Sequence, residues 1–277
     1  LKQKGHNVRG MIIDGKDIPE NIIKEFKPQI IGYSVIIGSE KNCIQINRRL
    51  KERFAFFSIF GGPYPTFYPE VLEGEGLDAI CIGEGEDAMV ELAECLANNL
   101  PITEIKNIWL KTPAGIKKNE PRQLVDNLDL LPFPDRDIFE NTKAGGAYNI
   151  ISTRGCPFGC TYCFNDQLHS LYGTKAVRYR TIPNVMKELK LIKERNKPKI
   201  FLFHDDLFIV DKKRVFEFAK SYASEIGMPF TCSARPELMT KDIANALFQA
   251  GCRIVYVGIE SGNEVIRKKI LGRNITD

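Results

Sequence analysis

The chain has 277 residues, of which 43% are hydrophobic and 27% charged, and its formal net charge is +4. This composition is typical of a soluble globular protein, and the length is sufficient for two domains that each bury a core. No apolar run approaches the roughly 18 residues of a membrane span, and the small net charge makes nucleic acid an unlikely partner. The eight cysteines form no framework of evenly spaced pairs, which predicts a reducing, cytoplasmic compartment.

In the first part of the chain, short apolar runs alternate with helical patterns, as buried parallel strands do. The predicted strands are Val8–Ile13, Gln29–Ile37, Phe54–Phe60 and Ala79–Ile82. The predicted helices are Glu20–Phe26, Glu40–Arg53 and Glu86–Asn98, followed by a small hairpin at Trp109–Lys118. We therefore predict a doubly wound α/β domain over residues 1–120, with ligands at the carboxyl ends of its strands.

A proline-rich stretch, residues 121–145, is predicted to be a linker, and a second domain over residues 146–277 resumes the alternation. Its predicted strands are Tyr148–Thr153, Lys199–Phe203, Pro229–Ser233 and Arg253–Gly258. Its predicted helices are Pro183–Arg195, Lys212–Ile226, Thr240–Ala250 and one that begins near Asn263. This strict repetition indicates a partial parallel (β/α) barrel, whose active site lies at the carboxyl ends of the strands.

The most specific motif is the cysteine loop that directly follows the first strand of the second domain. Cys156, Cys160 and Cys163 have the spacing C-x3-C-x2-C, which presents three thiolates to one metal centre. Three ligands for a four-iron cluster leave one iron open for a substrate or cofactor. A structural zinc site with His169 as the fourth ligand is the alternative.

The spacing, the aromatic residue before the last cysteine and the preceding Gly-Cys-Pro together resemble the cluster loop of the radical S-adenosylmethionine (radical SAM) enzymes. The resemblance implies a [4Fe–4S] cluster that binds S-adenosylmethionine, with Tyr162 near the adenine. It also implies that residues at the other strand ends line the S-adenosylmethionine pocket. These are Asp205 or Asp206 by the amino group, Arg235, Glu260 by the ribose and Arg273 by the carboxylate. His204-Asp-Asp stands where the family has Gly-Gly-Glu, and His204 is a candidate general acid or base or simply a strand-end residue.

Three loops of the first domain follow predicted strands and are rich in glycine, which lets a backbone approach a large ligand. They are similar to the loops of the cobalamin-binding domains that precede the barrel in one radical SAM class. The implied cobalamin residues are Ser34, Gly61, Gly62, Thr66, Gly83, Glu84 and Gly85. Tyr64 stands where that class often has histidine, and the loop that carries an axial histidine in some members would precede Leu1, so we expect base-off cobalamin. The alternative is an α/β domain that only positions a substrate or partner.

The sequence thus predicts a radical SAM enzyme that generates a 5′-deoxyadenosyl radical for cobalamin-dependent methylation or rearrangement of an unidentified substrate. Its partners would be that substrate, small-molecule or other, and an electron donor such as flavodoxin or ferredoxin. One alternative is a methylthiotransferase acting on RNA or protein, which would need three further cysteine ligands; Cys43, Cys81 and Cys95 lie on different predicted elements. Another is a zinc-stabilised binding module without catalysis. Because the chain begins at Leu1 and has four strand–helix units, we expect it to be an internal piece of a longer protein.

Overall fold

The chain folds into two units, each of which is built from apolar strands and amphipathic helices. The computed structural model describes residues 1–13, 20–139 and 146–276. Contacts divide the chain into Leu1–Leu124 and Val125–Asp277. No helix among the described residues is long and apolar enough to cross a membrane.

The first unit contains one five-stranded sheet in the order β1-β2-β3-β4-β5. The first three strands are parallel, whereas β4 and β5 form an antiparallel hairpin that extends the sheet. The strands are β1 Ile30–Ser34, β2 Phe57–Gly61, β3 Ala79–Cys81, β4 Ile108–Thr112 and β5 Gly115–Lys118. The helices are α1 Glu20–Phe26, α2 Glu40–Lys51, α3 Pro63–Phe67 and α4 Glu86–Ala97. Helical turns of 3-10 type lie at Lys2–Lys4 and Pro69–Glu73.

Both faces of this sheet are covered because alternate residues of each strand point to opposite sides. Ile59 and Ala79 face one side, where they pack with Leu92 of α4. Ile31 faces the other side, where it packs against Ile46 of α2 and the helix α1. The doubly wound α/β architecture is therefore confirmed.

One predicted strand of the first unit is wrong. Residues 8–13 form no strand, although Met11 and Ile13 pack against the cluster that contains Ile23 and Ile46. Gly10 forms an isolated bridge, Met11 and Ile13 are only partly buried and Ile12 is 67% exposed, so this stretch has neither the continuous pairing nor the burial of a sheet strand. Residues 14–19 lie outside the described part of the chain.

The second unit contains a parallel sheet in the order β11-β10-β9-β6, and a two-stranded antiparallel pair of β7 with β8. The strands are β6 Ala147–Ile150, β7 Thr153–Arg154, β8 Arg178–Tyr179, β9 Ile200–Phe203, β10 Phe230–Ala234 and β11 Cys252–Val257. The helices are α5 Phe164–Tyr172, α6 Ile182–Asn196, α7 Lys212–Glu225 and α8 Lys241–Ala250. A π-helical segment spans Ile266–Ile270, and 3-10 turns lie at Leu128–Leu130, Arg136–Ile138 and Pro236–Leu238.

Helices connect the successive strands of this sheet, because α6 precedes β9, α7 lies between β9 and β10, and α8 lies between β10 and β11. The neighbouring parallel strands are therefore joined by crossovers, as in a partial barrel. The core lies between the sheet and α6, α7 and α8. Phe203 is at its centre, with edge-to-face contacts to Phe208, Phe218 and Phe230. Such aromatic pairs add specific geometry to the burial of apolar area. The predicted partial barrel is thus seen as four parallel strands that neighbour one another in one sheet.

The stretch predicted as a linker is only partly described. Residues 125–139 belong to the second unit, where the carbonyl oxygen of Val125 accepts a hydrogen bond from Arg178 at 2.8 Å. Asp129 accepts two hydrogen bonds from Thr181, the N-cap of α6. Residues 140–145 lie outside the described part of the chain. The domain boundaries given above stay predictions.

Candidate active site

The entry to the cysteine loop is held by a buried carboxylate at the end of β9. Asp205 is only 3% exposed, and it accepts hydrogen bonds from the backbone amides and hydroxyl groups of Ser152 and Thr153. Burial raises the pKa of Asp205, while these four donors oppose the rise by stabilising the ionised form. Because its acceptor positions serve these donors, Asp205 fixes the corner between β6 and β7 from which the loop departs.

The neighbouring Asp206 reaches the loop itself. Its Oδ2 accepts a hydrogen bond from the amide of Gly155, at 3.2 Å. Gly155 has φ +91°, and a side chain there would meet the carbonyl oxygen of Ala176 at 2.6 Å, so glycine is required at this turn. Burial raises the pKa of Asp206 as well, against hydrogen bonds from Asn165 and Gly155.

The three cysteines of the loop are free thiols in two environments. Cys160 is buried, whereas Cys156 and Cys163 are half-buried. Burial raises the pKa of Cys156. Asn165 donates a hydrogen bond to Sγ of Cys163 at 3.7 Å. His169 donates from Nε2 to the carbonyl oxygen of Cys156 at 2.7 Å.

Arg235, which follows β10, lies directly against this loop. Its Nη1 is 3.2 Å from Sγ of Cys160, and its guanidinium carbon lies 3.8 Å from the centre of the Phe158 ring. Its Nε donates to Glu237 at 2.5 Å. Arg235 is only 6% exposed, so its guanidinium presents a fixed positive charge and a hydrogen-bond donor to one cysteine sulfur.

A second arginine joins the far side of the loop to the end of β11. Arg273 donates to the hydroxyl oxygen of Tyr162 at 2.9 Å, to Glu260 at 3.3 Å and to the carbonyl oxygen of Gly258 at 2.8 Å. Burial lowers the pKa of Arg273, but its interactions with Tyr162, Cys160 and Glu260 together outweigh this and the net change is upward. Glu260 adopts φ +68°, which is costly for any residue except glycine and is held here by its surroundings.

The backbone around Arg273 also packs on the loop. Thr161 donates its hydroxyl to the carbonyl oxygen of Ile270 at 2.7 Å and its amide to that of Leu271 at 3.3 Å. Gly272 has φ +64°, and a side chain there would approach the carbonyl oxygen of Gly159 to 3.0 Å. The cysteine loop is therefore enclosed by segments from both ends of the strand order.

The donor chemistry of this site fits a [4Fe–4S] cluster with one open iron. Three thiols are offered by one loop, and N–H groups of Arg235 and Asn165 point to two of the sulfurs, which is the outer-shell support that such centres use. In the described part of the chain, no three His, Cys, Asp or Glu side chains are arranged as ligands of one metal ion. A four-iron cluster does not need that arrangement because each cysteine binds a different iron. The zinc alternative needs His169 as the fourth ligand. In the structure, Nε2 of His169 is instead hydrogen-bonded to the carbonyl oxygen of Cys156.

The three glycine-rich loops of the first unit meet at the carboxyl edge of its sheet. Ser34 ends β1 opposite Gly61, which ends β2, and Gly83 follows β3. Thr66 joins two of the loops because it donates to the carbonyl oxygen of Gly62 at 2.9 Å and accepts from the amide of Gly83 at 3.0 Å.

At two glycines of these loops a Cβ atom would crowd a neighbouring group. Gly62 has φ +96°, and a Cβ atom would lie 2.9 Å from the carbonyl oxygen of Val35. At Gly85 a Cβ atom would lie 3.1 Å from Sγ of Cys81. Gly61 and Gly62 are half-buried and Ser34 is exposed, so the backbone of the β2 loop lies at the sheet edge without side chains that would keep a large ligand away. Glu84 lies half-buried between the two glycines of its loop and makes polar contacts of its own.

The structure brings most of the residues predicted from the sequence of the second domain around one loop. Tyr162, Glu260 and Arg273 contact one another, and Arg235, Asp205 and Asp206 contact the cysteine loop or its entry. His204 is exposed and donates to Oδ1 of Asn149 at 2.8 Å, so it contacts a strand residue of β6.

Sequence reasoning missed the residues that support this loop. Phe158 and Glu237 hold Arg235, and Ser152 and Thr153 hold Asp205. The spacing Arg-x-Glu was a usable signal for the Arg235–Glu237 pair. Nothing in the sequence indicated that Phe158 stacks on Arg235, because that contact depends on the conformation of the loop.

Comparisons with known proteins identify the families to which the two parts of the chain are similar. Residues 150–277 match the family model of the radical SAM superfamily, and residues 1–93 match that of the B12 binding domain. An uncharacterized methyltransferase of Pyrococcus horikoshii is 31% identical over 100% of this chain and 62% of its own length. The hopanoid C-3 methylase of Methylococcus capsulatus is 25% identical over 99% of this chain and 55% of its own length. The chain spans a little over half the length of these relatives.

A solved structure shows the same fold. The radical SAM methyltransferase TsrM from Kitasatospora setae, with tryptophan and a S-adenosylmethionine analogue bound, superposes with a TM-score of 0.73 over 90% of this chain and 51% of that chain, at 16% identity.

The fold and site define a two-domain α/β enzyme in which a B12 binding domain precedes a partial barrel with a cluster loop. The chain belongs to the radical SAM superfamily, in the class that carries a B12 binding domain. The cofactors of this class are a [4Fe–4S] cluster, S-adenosylmethionine and cobalamin, and the cofactor prediction is thereby confirmed at the level of the domains.

Proposed function

We propose that this protein is a cobalamin-dependent radical SAM methyltransferase and that the chain provides its cofactor-binding portion. The observation that carries the proposal is the contact of Tyr162, Glu260 and Arg273 with one another beside the three-cysteine loop. These groups match the chemistry of S-adenosylmethionine: a guanidinium for its carboxylate, a carboxylate for its ribose hydroxyl groups and an aromatic ring for its adenine.

When bound, the cluster supplies an electron for reductive cleavage of S-adenosylmethionine, and cobalamin supplies a methyl carrier. Cys156, Cys160 and Cys163 hold three irons of that cluster in this proposal. Arg235 places its charge beside Cys160, and Asp206 is the carboxylate by the amino group, because Asp205 already serves four donors.

The residues proposed to hold cobalamin are those of the carboxyl edge of the first sheet. Ser34 offers an exposed hydroxyl, and the half-buried Gly61 and Gly62 let the backbone approach the ligand. Thr66 keeps the loops of β2 and β3 together. Gly83, Glu84 and Gly85 complete the edge just before the N-terminus of α4.

The substrate is proposed to be a small molecule, and the reductant a flavodoxin or ferredoxin, since enzymes of this superfamily need an external electron donor and act on small substrates. Methyl transfer is favoured over rearrangement because both relatives described above carry methyl-transfer names. Eight free cysteines support a cytoplasmic location. The methylthiotransferase alternative is less supported, since Cys43, Cys81 and Cys95 lie on α2, β3 and α4.

The experiment compares four cysteine variants of the full-length protein, purified and reconstituted anaerobically. Cys156→Ala, Cys160→Ala and Cys163→Ala should each lose the cluster and the formation of 5′-deoxyadenosine or methylated product. Cys95→Ala is the matched control, because this half-buried helix residue packs in the core of the first unit. Iron, sulfide, zinc and cobalt are measured in every sample.

The iron content tests the cluster site, and the cobalt content tests the cobalamin site. Iron and cobalt in the wild type, with iron lost only in the three loop variants, would support the proposal. Stoichiometric zinc without iron would replace it by a zinc-stabilised module. Iron without retained corrinoid would reduce the first domain to a scaffold.

A further inference from the structure

His204 lies at the end of β9, and the proposed function gives it no role. It directly precedes Asp205 and Asp206, which hold the entry to the cysteine loop. Its backbone amide donates to the carbonyl oxygen of Ile150 at 2.8 Å, which continues the pairing of β6 with β9 by one residue. The backbone of His204 is therefore fixed beside the entry to the cysteine loop.

The side chain of His204 lies on the face of the sheet that the helices do not cover. Ile150 pairs with Phe203, and both belong to the core between the sheet and the helices. Successive residues of a strand point to opposite faces, so Asn149 and His204 point to the other face. Their hydrogen bond of 2.8 Å agrees with this placement. In a barrel this face is the interior, and active sites lie at its carboxyl end.

The bond to Asn149 orients the imidazole ring. Oδ1 of Asn149 is an acceptor, so Nε2 of His204 carries the proton, and Nδ1 of the neutral ring is then an acceptor. His204 is an exposed residue, and its Nδ1 has no hydrogen-bond partner in the part of the chain that the structure describes. Strand pairing does not need this side chain, because the backbones of β6 and β9 are already paired. The ring thus offers one acceptor in a fixed direction.

The cavity that His204 lines has a volume of about 430 Å³, which is within the range of small-molecule pockets. Its apolar wall comes from the residue after β6 and from the proline-rich stretch: Ile151, Leu128, Leu131, Pro132 and Pro134. Ile151 is 53% exposed, so this wall offers apolar surface to a ligand. An apolar body that carries a hydrogen-bonding group matches such a cavity.

The charged side chains of the lining have partners within the protein. Both carboxylate oxygens of Glu188 are used, since Glu188 accepts from Arg136 at 2.6 Å and from Arg180 at 2.5 Å. Arg154 has an interaction of its own. The side-chain nitrogens of arginine and asparagine are donors, so Nδ1 of His204 supplies the nitrogen acceptor of this lining. The complementary group of a ligand is an N–H or an O–H.

We propose that His204 determines substrate specificity by accepting, at Nδ1, a hydrogen bond from an N–H or O–H group of a substrate with an apolar body. Asn149 is a positioning residue in this arrangement, because it acts through the imidazole. The inference rests on the proposed function, since it places the substrate of that reaction at the carboxyl end of the second sheet. The hydrogen bond itself needs neither the cluster nor cobalamin, so it is measured separately from turnover.

The experiment compares two probes of the same shape on the full-length, reconstituted protein by equilibrium dialysis. Indole has an N–H donor, and benzofuran has an oxygen atom at that position of the same bicyclic ring. Indole gains the hydrogen bond to Nδ1, whereas the benzofuran oxygen turns its lone pairs towards that acceptor. We expect the wild type to bind indole at least about tenfold more tightly than benzofuran, which corresponds to one hydrogen bond.

The variants locate this preference. His204→Phe keeps an aromatic ring without either nitrogen, so the two probes should bind equally. His204→Asn places an amide oxygen near the position of Nδ1 and should restore part of the preference for indole. Asn149→Ala leaves the imidazole without its orienting partner and should reduce the preference without abolishing it.

Tyr256→Phe is the matched control. Tyr256 lies on the same face of the sheet, because its neighbour Val255 packs against the helix-covered core. It is 58% exposed and does not line the cavity, so the loss of its hydroxyl group should leave the preference for indole unchanged. Thermal unfolding confirms that each variant is folded.

The outcomes are distinct. A preference for indole that is lost in His204→Phe, partly restored in His204→Asn and kept in Tyr256→Phe supports the proposal. Equal binding of the two probes by the wild type, a preference that survives in His204→Phe, or an equal loss in Tyr256→Phe would overturn it. The iron, cobalt and 5′-deoxyadenosine measurements decide the proposed function independently, so the failure of one proposal is not mistaken for the failure of the other.

Discussion

At the scale of single residues, the substitution Gly258→Ala tests whether Glu260 contributes to binding S-adenosylmethionine. A Cβ atom at position 258 would lie 2.5 Å from Oε1 of Glu260, so Gly258→Ala must move that carboxylate away from Arg273. The end of a long side chain can move at little cost to stability. We expect S-adenosylmethionine to bind about tenfold more weakly, which corresponds to one lost charge-assisted hydrogen bond, with an almost unchanged melting temperature.

The control for this prediction is in the same loop. Gly262→Ala adds an identical methyl group where nothing lies within 4 Å. Equilibrium dialysis with labelled S-adenosylmethionine measures both affinities. If the two variants bind equally well, Glu260 has no role in the pocket.

Arg235 offers a second test at this scale. Its Nη1 lies 3.2 Å from Sγ of Cys160, and a positive N–H donor stabilises the more negative, reduced state of a cluster bound there. Arg235→Leu should therefore lower the reduction potential by on the order of 60 mV, about a tenfold change in a one-electron equilibrium. Arg235→Lys keeps the charge and should recover part of that shift.

The measurement is a redox titration followed by electron paramagnetic resonance. Arg253→Leu is the control, because Arg253 is an exposed residue of β11 whose guanidinium lies by Phe248. A potential that does not change in Arg235→Leu would show that the contact with Cys160 is only structural.

At the scale of elements, a substitution in the turn after β2 tests whether the first unit binds cobalamin at this sheet edge. Gly62→Ala combines a positive φ with a Cβ atom 2.9 Å from the carbonyl oxygen of Val35, so the loops of β1 and β2 must separate. We expect loss of cobalamin with full retention of iron. Gly38→Ala is a matched control, because Gly38 has nearly the same φ of +94° and nothing within 4 Å.

Both variants carry the strain of a non-glycine residue at positive φ, about 1–3 kcal/mol. Gly62 combines this φ with ψ −171°, a conformation nearly confined to glycine, so a difference between the variants reports the backbone strain and the clash at the sheet edge together. Cobalt content and the corrin absorption spectrum are the readouts. Cobalamin retained equally in the two variants would remove the β2 loop from the proposed site.

The order of the elements was predictable because buried parallel strands are continuous apolar runs, which stand out between amphipathic helices. Two helices were missed for different reasons. The short α3, Pro63–Phe67, contains two prolines and reads as a turn. The helix α5 carries Phe164, Leu168 and Leu171 at helical spacing, and this signal was overlooked next to the cysteine motif.

The site was predictable to the extent that chemistry and strand ends mark it. The cysteine spacing indicated the metal centre, and the carboxyl ends of the strands indicated which polar residues lie beside it. The sequence could not tell which of Asp205 and Asp206 supports the loop entry and which remains for a ligand. That depends on which carboxylate accepts hydrogen bonds from the amides of Ser152 and Thr153. Long-range hydrogen bonds of this kind have no local signature in a sequence.

At the scale of the whole molecule, replacing Glu188 tests how much one buried carboxylate contributes to the stability of the second unit. It is almost fully buried on α6 and accepts from two arginines, one of which lies in the stretch before β6. Glu188→Ala leaves both guanidinium groups without this partner, and breaking a buried pair costs about 3–5 kcal/mol. We expect the unfolding temperature of the second unit to fall by roughly 10 °C.

An exposed ion pair of the same unit is the control. Lys190 and Glu225 lie 2.6 Å apart with side chains 48% and 36% exposed, so Glu225→Gln should change stability by no more than about 1 kcal/mol. Differential scanning calorimetry measures both variants. Similar unfolding temperatures for the two would mean that the arginines find other partners.

The contacts of Asp205 make the entry to the cysteine loop independent of the metal. The four groups that it accepts from are all protein groups, so the corner before Gly155 can form while the cysteines are still reduced thiols. A zinc finger, in contrast, is unfolded without its metal. The starting point of the cysteine loop is therefore fixed by the chain itself, and insertion of a cluster would have to order only the part of the loop beyond it.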